Sequence, residues 1–363
     1  MTTDTTRGQS VGDRSEARGE GRAYIGSFTS AGGRGVIAAA VDTETGALTE
    51  LGATDALADP SYLALAPDGT VLYAVSEAEE GAVAAFDVAP GDAAPRLIGG
   101  PVPVRGSGPT HLALTAGHLV TANYGSGSVT FLPLHADGTP GPAAGVLQHE
   151  GGGPDAERQE GPHAHQVVPD PGGRWLLAVD LGTDSVRISA VAPDSGALAP
   201  HSETALRPGS GPRHLVLHPA GTHAYVLNEL DTTLTVCRWD TGKGRLEPVG
   251  EVPVLPEGVE VASYASEIVV SPDGRYLWAA MRGHDSIAVL ALDDSREKPA
   301  LVTTVDCGGR WPRDLTLDPA GRRLYVSNEH SGDVTWFDID PATGIPSRAG
   351  AFEAPAASCV VFG

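Results

Sequence analysis

The chain has 363 residues and carries 46 aspartates and glutamates against 24 lysines and arginines, a formal charge of −22. So acidic a protein is excluded from general binding to nucleic acid or anionic membrane, and no apolar run approaches the roughly 20 residues a membrane span needs. The three cysteines, Cys237, Cys307 and Cys359, are widely spaced without a CxxC pair, which fits neither a disulfide framework nor a thiolate zinc site and points to a reducing compartment, the cytoplasm.

Residues 1–21 are charged, rich in glycine and without the apolar core of a signal peptide, so the expectation is a disordered tail followed by one folded domain over 22–363. The folded part begins with Arg22-Ala23-Tyr24-Ile25-Gly26-Ser27-Phe28 and continues over 35–42 and 45–48 as short apolar runs punctuated by glycine, the pattern of hairpins rather than helices. Next comes Ser61-Tyr62-Leu63-Ala64-Leu65-Ala66-Pro67-Asp68-Gly69, followed by apolar runs over 72–77 and 82–87. The same order returns at Thr110-His111-Leu112, Ala164-His165-Gln166, Arg213-His214-Leu215, Ser266-Glu267-Ile268 and Arg313-Asp314-Leu315. The turn glycines 69, 117, 173, 221, 274 and 321 are separated by 48, 56, 48, 53 and 47 residues. A period near 50 with three or four short strands per unit is the signature of a β-propeller. Tight turns such as Pro272-Asp273-Gly274 leave no room for the crossover helices of a parallel α/β fold. The last stretch, Ser358-Cys359-Val360-Val361-Phe362-Gly363, repeats the first strand of the unit and stops, while the strands it lacks stand at the N-terminus. The expected fold is therefore all-β, a seven-bladed β-propeller whose ring is closed by N-terminal strands pairing with the C-terminal strand.

In an antiparallel pair the start of one strand and the end of its partner lie side by side. One face of the disc thus gathers the strand starts Ser61/Tyr62, Thr110/His111, Ala164/His165, Arg213/His214, Ser266/Glu267, Arg313/Asp314 and Ser358/Cys359. It also gathers the partner ends Ser76/Glu77, Asn123/Tyr124, Asp180/Leu181, Asn228/Glu229, Met281/Arg282, Asn328/Glu329 and Ser27/Phe28. The opposite turns carry Pro-Asp-Gly or Pro-Ala-Gly, ordinary turn formers. Blades three to six supply the ionisable groups: His163, His165, Arg213, His214, Glu229, Glu267, Arg282, Arg313, Asp314 and Glu329. Three arginines brought to one mouth of an acidic protein suggest a small anionic ligand.

At these residues the sequence resembles the seven-bladed lactonase propellers, the family of cycloisomerase-type 6-phosphogluconolactonases and carboxymuconate cyclases. The resemblance runs from Arg22 to Gly363 and is carried by Gly161-Pro162-His163-Ala164-His165, Gly211-Pro212-Arg213-His214, Asn228-Glu229-Leu230, Ala265-Ser266-Glu267-Ile268, Met281-Arg282-Gly283-His284-Asp285-Ser286 and Trp311-Pro312-Arg313-Asp314. It implies a catalytic histidine, two arginines and a glutamate at the axial mouth, here His165, Arg213, Arg282 and Glu229, with His163 open as the alternative histidine. Met281 and Asp314 depart from the asparagine and histidine common at those places in the family.

Read as chemistry, His163 or His165 serves as general base or polarises a lactone carbonyl, or else caps the loop through a backbone hydrogen bond. A metal on His-Ala-His would need further ligands such as Glu229 or Asp180, and no further motif is present, so no metal is expected. Arg213 and Arg282 hold a carboxylate or phosphate and stabilise an oxyanion, or pair with Glu229, Glu267 or Glu329. Glu229 acts as base or orients the histidine, and Glu267, Asp314 and Glu329 are expected to partner the arginines. His163, His214, Glu267, Arg313 and His111 complete the expected substrate contacts, and Trp311 is the tryptophan placed to touch ligand. His165 is preferred over His163 because it takes the strand position held by His111 and His214. His201, His218 and His223 are expected at the surface. The resemblance implies hydrolysis of a sugar lactone, most concretely 6-phosphogluconolactone, by a monomer or dimer that needs no cofactor. The alternatives are a lactonising cycloisomerase and a non-catalytic propeller, the latter disfavoured by a mouth that is ionisable rather than aromatic.

Overall fold

The computed structural model describes residues 21–89, 91–192, 195 and 197–363; residues 1–20 of the expected tail lie outside the described residues, and Gly21 opens the first strand. The described chain forms seven four-stranded antiparallel sheets arranged as the blades of a propeller. Blades one to six span 63–103, 109–148, 164–205, 212–253, 264–306 and 312–353, and the seventh combines 21–54 with the C-terminal strand. That strand, Ala357–Phe362, pairs antiparallel with Gly21–Ser27, so the ring closes as its two ends predict. All six turn glycines of the repeat sit in the left-handed region, with φ between 65° and 73°, where a side chain would be strained.

The second strand of a blade is buried on both sides, as all six residues of Trp175–Asp180 are, because each sheet is covered by its neighbours. The outermost strands, such as Pro346–Glu353, alternate with solvent. The cores lie between blades: Leu227 and Val236 of blade four pack with Ile268, Leu277 and Leu290 of blade five. Tyr325 and Trp336 of blade six pack with Ile25, Ile37 and Val360 across the closure. His218 and His223, expected at the surface, are buried instead, and the His218 ring meets the Gly274 carbonyl of the next blade at 3.1 Å.

One regularity sets the site. In blades two to seven the innermost strand carries a register shift at its mouth end, where one extra residue is fitted. A β-bulge of this kind re-aims the side chain it carries. The inserted residue is Thr110, His165, Arg213, Arg313 or Ser358, and in blade five Ser266 and Glu267 together face a single residue. The register places His165 level with Thr110, Arg213 and Arg313, and Gln166 level with His111 and His214. This corrects the expected alignment by one residue in blade three.

Candidate active site

Where the second strands end, Asn123, Asn228 and Asn328 turn back into their own blades and donate to the third strand, to Thr130, Thr235 and Thr335 at 2.9, 2.9 and 3.1 Å. They are clamps rather than ligands. Met281 occupies this place in blade five and is simply core. The next residue along faces the mouth, which puts Tyr124, Glu229, Arg282 and Glu329 around it.

Glu229 is the centre of the charge cluster. Its Oε2 lies 2.8 Å from Arg282 Nη2 and 3.2 Å from Arg213 Nε, and its Oε1 accepts from Arg158 Nη2 at 2.6 Å. Arg282 also donates to the Ala265 carbonyl at 3.1 Å, and Arg213 donates to the Ser266 carbonyl, so both guanidiniums are braced against blade five. Burial pushes the Glu229 carboxyl up, but the charges of Arg282, Arg213 and Arg158 outweigh it and hold the group down at about 2. Burial and the neighbouring charge of Arg282 push Arg213 down to about 9, which leaves it charged at neutral pH. Arg313 reaches Glu77 and Glu329, each at 3.4 Å, and lies over the Phe28 ring.

The histidines divide into two kinds. The His163 ring has a neighbour at both nitrogens: Nδ1 donates to the Tyr124 carbonyl at 2.9 Å, Nε2 is 3.3 Å from the largely exposed Glu160, a pair that forms only when the ring is protonated, and the ring stacks on Tyr124. His165 is buried, and its Nδ1 has no hydrogen-bond partner. Burial, with the charge of Arg213, holds its basicity well below the usual 6.5, so the imidazole is neutral. Its ring meets His214 edge-on at 5.0 Å, and His214 meets His111 at 5.6 Å. Deeper still, His214 Nδ1 lies 2.6 Å from Glu267 Oε2. Glu267 is pushed up to about 7 by burial, and Asp314, hydrogen-bonded to it, is raised well above the usual range by burial and by the Glu267 charge.

The structure therefore brings His165, Arg213, Glu229 and Arg282 to one mouth, with His163 and Arg313 beside them. His111, His214 and Glu267 lie a layer further along the axis. Of the carboxyls expected to partner arginines, Glu329 does so; Glu267 is bonded to His214, and Asp314 accepts the Val360 amide at 3.1 Å. Trp311 backs Arg282, whose guanidinium carbon lies 5.5 Å from its ring centre, and stacks on His330. Of the two residues considered as extra metal ligands, Glu229 is engaged by arginines. Asp180 is engaged by His149 Nδ1 at 2.6 Å and by the His163 and Thr183 amides. Arg158 is the member of the cluster that the repeat does not reveal. It sits in the connection 149–163, and the only trace of it is the 56-residue spacing between Gly117 and Gly173, the longest of the five.

The chain is similar to known proteins in three respects. The family described as "Lactonase, 7-bladed beta-propeller" matches residues 22–362. The 6-phosphogluconolactonase of Bacillus subtilis is 33% identical over 324 residues, covering 88% of this chain and 92% of its own length. Among solved structures, a Bacteroides fragilis protein described provisionally as a 6-phosphogluconolactonase superposes with a TM-score of 0.90 at 31% identity, over 97% of this chain and 100% of its own. The periplasmic gluconolactonase of Pseudomonas aeruginosa superposes with a TM-score of 0.88 at 28% identity, over 94% and 99%.

Proposed function

The chain belongs to the seven-bladed β-propeller lactonases, and from that premise we propose that it hydrolyses 6-phosphogluconolactone to 6-phosphogluconate. The observation that carries the reading is the mouth itself: Arg158, Arg213 and Arg282 surround a single carboxylate, beside a neutral imidazole with a free ring nitrogen. Such a site attracts an anion and has a base ready at neutral pH.

His165 is taken as the base because its imidazole is neutral beside the arginines and its Nδ1 has no partner, whereas His163 is fixed by the Tyr124 carbonyl and lies against Glu160. Glu229, held ionised by three guanidiniums, is a poor proton acceptor and instead fixes Arg213 and Arg282 in place. In the reaction, water gives one proton to His165 as its oxygen bonds to the lactone carbonyl carbon. Arg213 and Arg282 balance the negative charge that collects on the carbonyl oxygen. Collapse breaks the bond between that carbon and the ring oxygen, which takes the proton back from His165 and becomes a hydroxyl. The new carboxylic acid then ionises and releases one proton to solvent. Hydrolysis written this way calls for no cofactor. A cytoplasmic setting belongs to the same proposal and is supported by three cysteines that are free and buried. Among the described residues no helix is long and apolar enough to cross a membrane.

The proton released makes the test direct. In a pH-stat, wild-type protein should accelerate 6-phosphogluconolactone hydrolysis over the spontaneous rate, and His165→Ala, Arg213→Ala and Glu229→Ala should each lose most of that acceleration. No acceleration by wild type rejects the function; unchanged rates in all three variants reject the site.

A further inference from the structure

The connection 149–163 delivers one side chain to the mouth. It is held by buried groups: Gln159 Nε2 donates to the Leu181 carbonyl and to Asp184 Oδ1, both at 2.8 Å, and Asp180 binds both His149 and the His163 amide. Between these anchors Arg158 reaches inward, with Nη2 at 2.6 Å from Glu229 and 3.4 Å from the Tyr124 hydroxyl. Its side chain is 35% exposed, against 3% for Arg213 and 8% for Arg282. The polar contacts made by the two buried arginines are to Glu229 and to backbone carbonyls of blade five, with the Trp311 ring behind Arg282. Arg158 uses Nη2 alone, and Glu229 is neutralised without it.

We propose that Arg158 is the specificity-determining residue that receives the substrate's phosphate. The inference rests on the lactonase reading above and adds to it which arginine reads which end of the molecule. Arg213 and Arg282, buried near the neutral base, serve the lactone carbonyl. Arg158, at the solvent edge of the same cluster, presents spare guanidinium donors to a dianion carried several bonds away from that carbonyl. A planar fork of donors matches phosphate oxygens two at a time, and an exposed guanidinium reorients at lower cost than a buried one.

The test compares 6-phosphogluconolactone with unphosphorylated gluconolactone in wild type, Arg158→Ala and Arg158→Lys. Arg158→Ala should raise KM for the phosphorylated substrate so that the ratio of the two kcat/KM values falls by roughly 10- to 100-fold. Arg158→Lys, which keeps the charge and loses the fork, should recover part of the ratio. Equal losses on both lactones would mean that Arg158 merely orders the mouth and would overturn the proposal. A separate binding arm measures the thermal shift given by 6-phosphogluconate and by gluconate. If wild type hydrolyses neither lactone, the lactonase reading falls and this arm alone decides: a shift by 6-phosphogluconate in wild type that Arg158→Ala loses supports the assignment, whereas an equal shift in both proteins, or none in either, rejects it.

Discussion

Glu229 and Arg282 meet at 2.8 Å at the mouth of the propeller, with Arg213 at 3.2 Å from the same carboxylate oxygen and all three side chains buried. Removing the negative charge from such a group leaves like charges facing one another away from water. Glu229→Gln is expected to lower stability by about 3–5 kcal/mol. Inorganic phosphate, bound beside the guanidiniums from the solvent side at Arg158 and returning negative charge to the cluster, should restore more stability to the variant than it adds to wild type. Urea unfolding with and without phosphate checks both. Equal stability of the two proteins, with no phosphate effect, would show that the cluster is not held by charge.

The acid limb of the rate profile separates the two candidate bases. Glu229 is held ionised down to about 2, so it contributes no limb in the working range. His165 must be neutral to accept a proton, and burial together with Arg213 moves its titration well below 6.5. Activity should therefore persist as pH falls past 6.5 and decline only further down. His165→Ala should cut kcat by about 10²- to 10⁴-fold, with KM moving much less. A kcat limb at 6.5 or above, or a larger kcat loss in His163→Ala than in His165→Ala, would transfer the role to another group.

The fold was legible because a repeat near 50 residues, glycine turns and a matching C-terminal strand each encode a local rule that the ring obeys. The mouth was legible to the level of hairpin ends, since antiparallel pairing brings His165, Arg213, Glu229 and Arg282 to one side whatever the local detail. The register of His165 was misread by matching it to the histidines His111 and His214. Spacing carried the better signal: eight residues before Gly173, Gly221, Gly274 and Gly321 stand His165, Arg213, Ser266 and Arg313, the bulge residues of their blades. A bulge is an insertion on one strand only, and neither composition nor alternation announces it. Arg158 escaped for a different reason, because it belongs to a connection with no counterpart in the other blades. Glu267 and Asp314 were expected at the mouth but given arginine partners, because a list of residues on one face does not say how far along the axis each side chain sits.

That axial carboxyl pair should make stability depend on pH in a defined direction. Burial pushes Glu267 from an ordinary 4.5 up to about 7, and burial with the Glu267 charge raises Asp314 well above its ordinary 3.8; His214, Arg213, Tyr62 and Cys359 are the other ionisable groups around them. Because the folded protein keeps a proton that the unfolded chain has released, the Glu267 part of this contribution is full below about pH 4.5 and gone above about 7, and the Asp314 part is full below about 3.8 and is likewise lost as pH rises. Asp314→Asn keeps a carbonyl for the Val360 amide and removes the like charge, so its loss of stability between pH 5 and 8 should be shallower than that of wild type. Parallel slopes in urea unfolding would show that Asp314, by its own titration or through Glu267, contributes nothing to the pH dependence.

Asp180 provides the test of what positions Arg158. Its Oδ1 accepts the His163 and Thr183 amides at 2.9 and 3.1 Å, and its Oδ2 meets His149 at 2.6 Å, so one carboxylate ties both ends of the 149–163 connection to blade three. Blades two, four and six have asparagine at this place, which shows that the strand end itself needs only an amide-sized polar group. Asp180→Asn should therefore retain the two amide contacts and lose only the charge on His149, at a cost of about 1 kcal/mol. Asp180→Ala leaves two backbone donors and a buried imidazole without partners, each worth about 1–3 kcal/mol, and should destabilise the protein several-fold more. It should also free the connection, so that limited proteolysis cuts within 149–163 before any other site and KM for the phosphorylated lactone rises as Arg158 loses its place. Uniform proteolysis with an unchanged KM in Asp180→Ala would assign the positioning of Arg158 to Gln159 and its bonds to Leu181 and Asp184 instead.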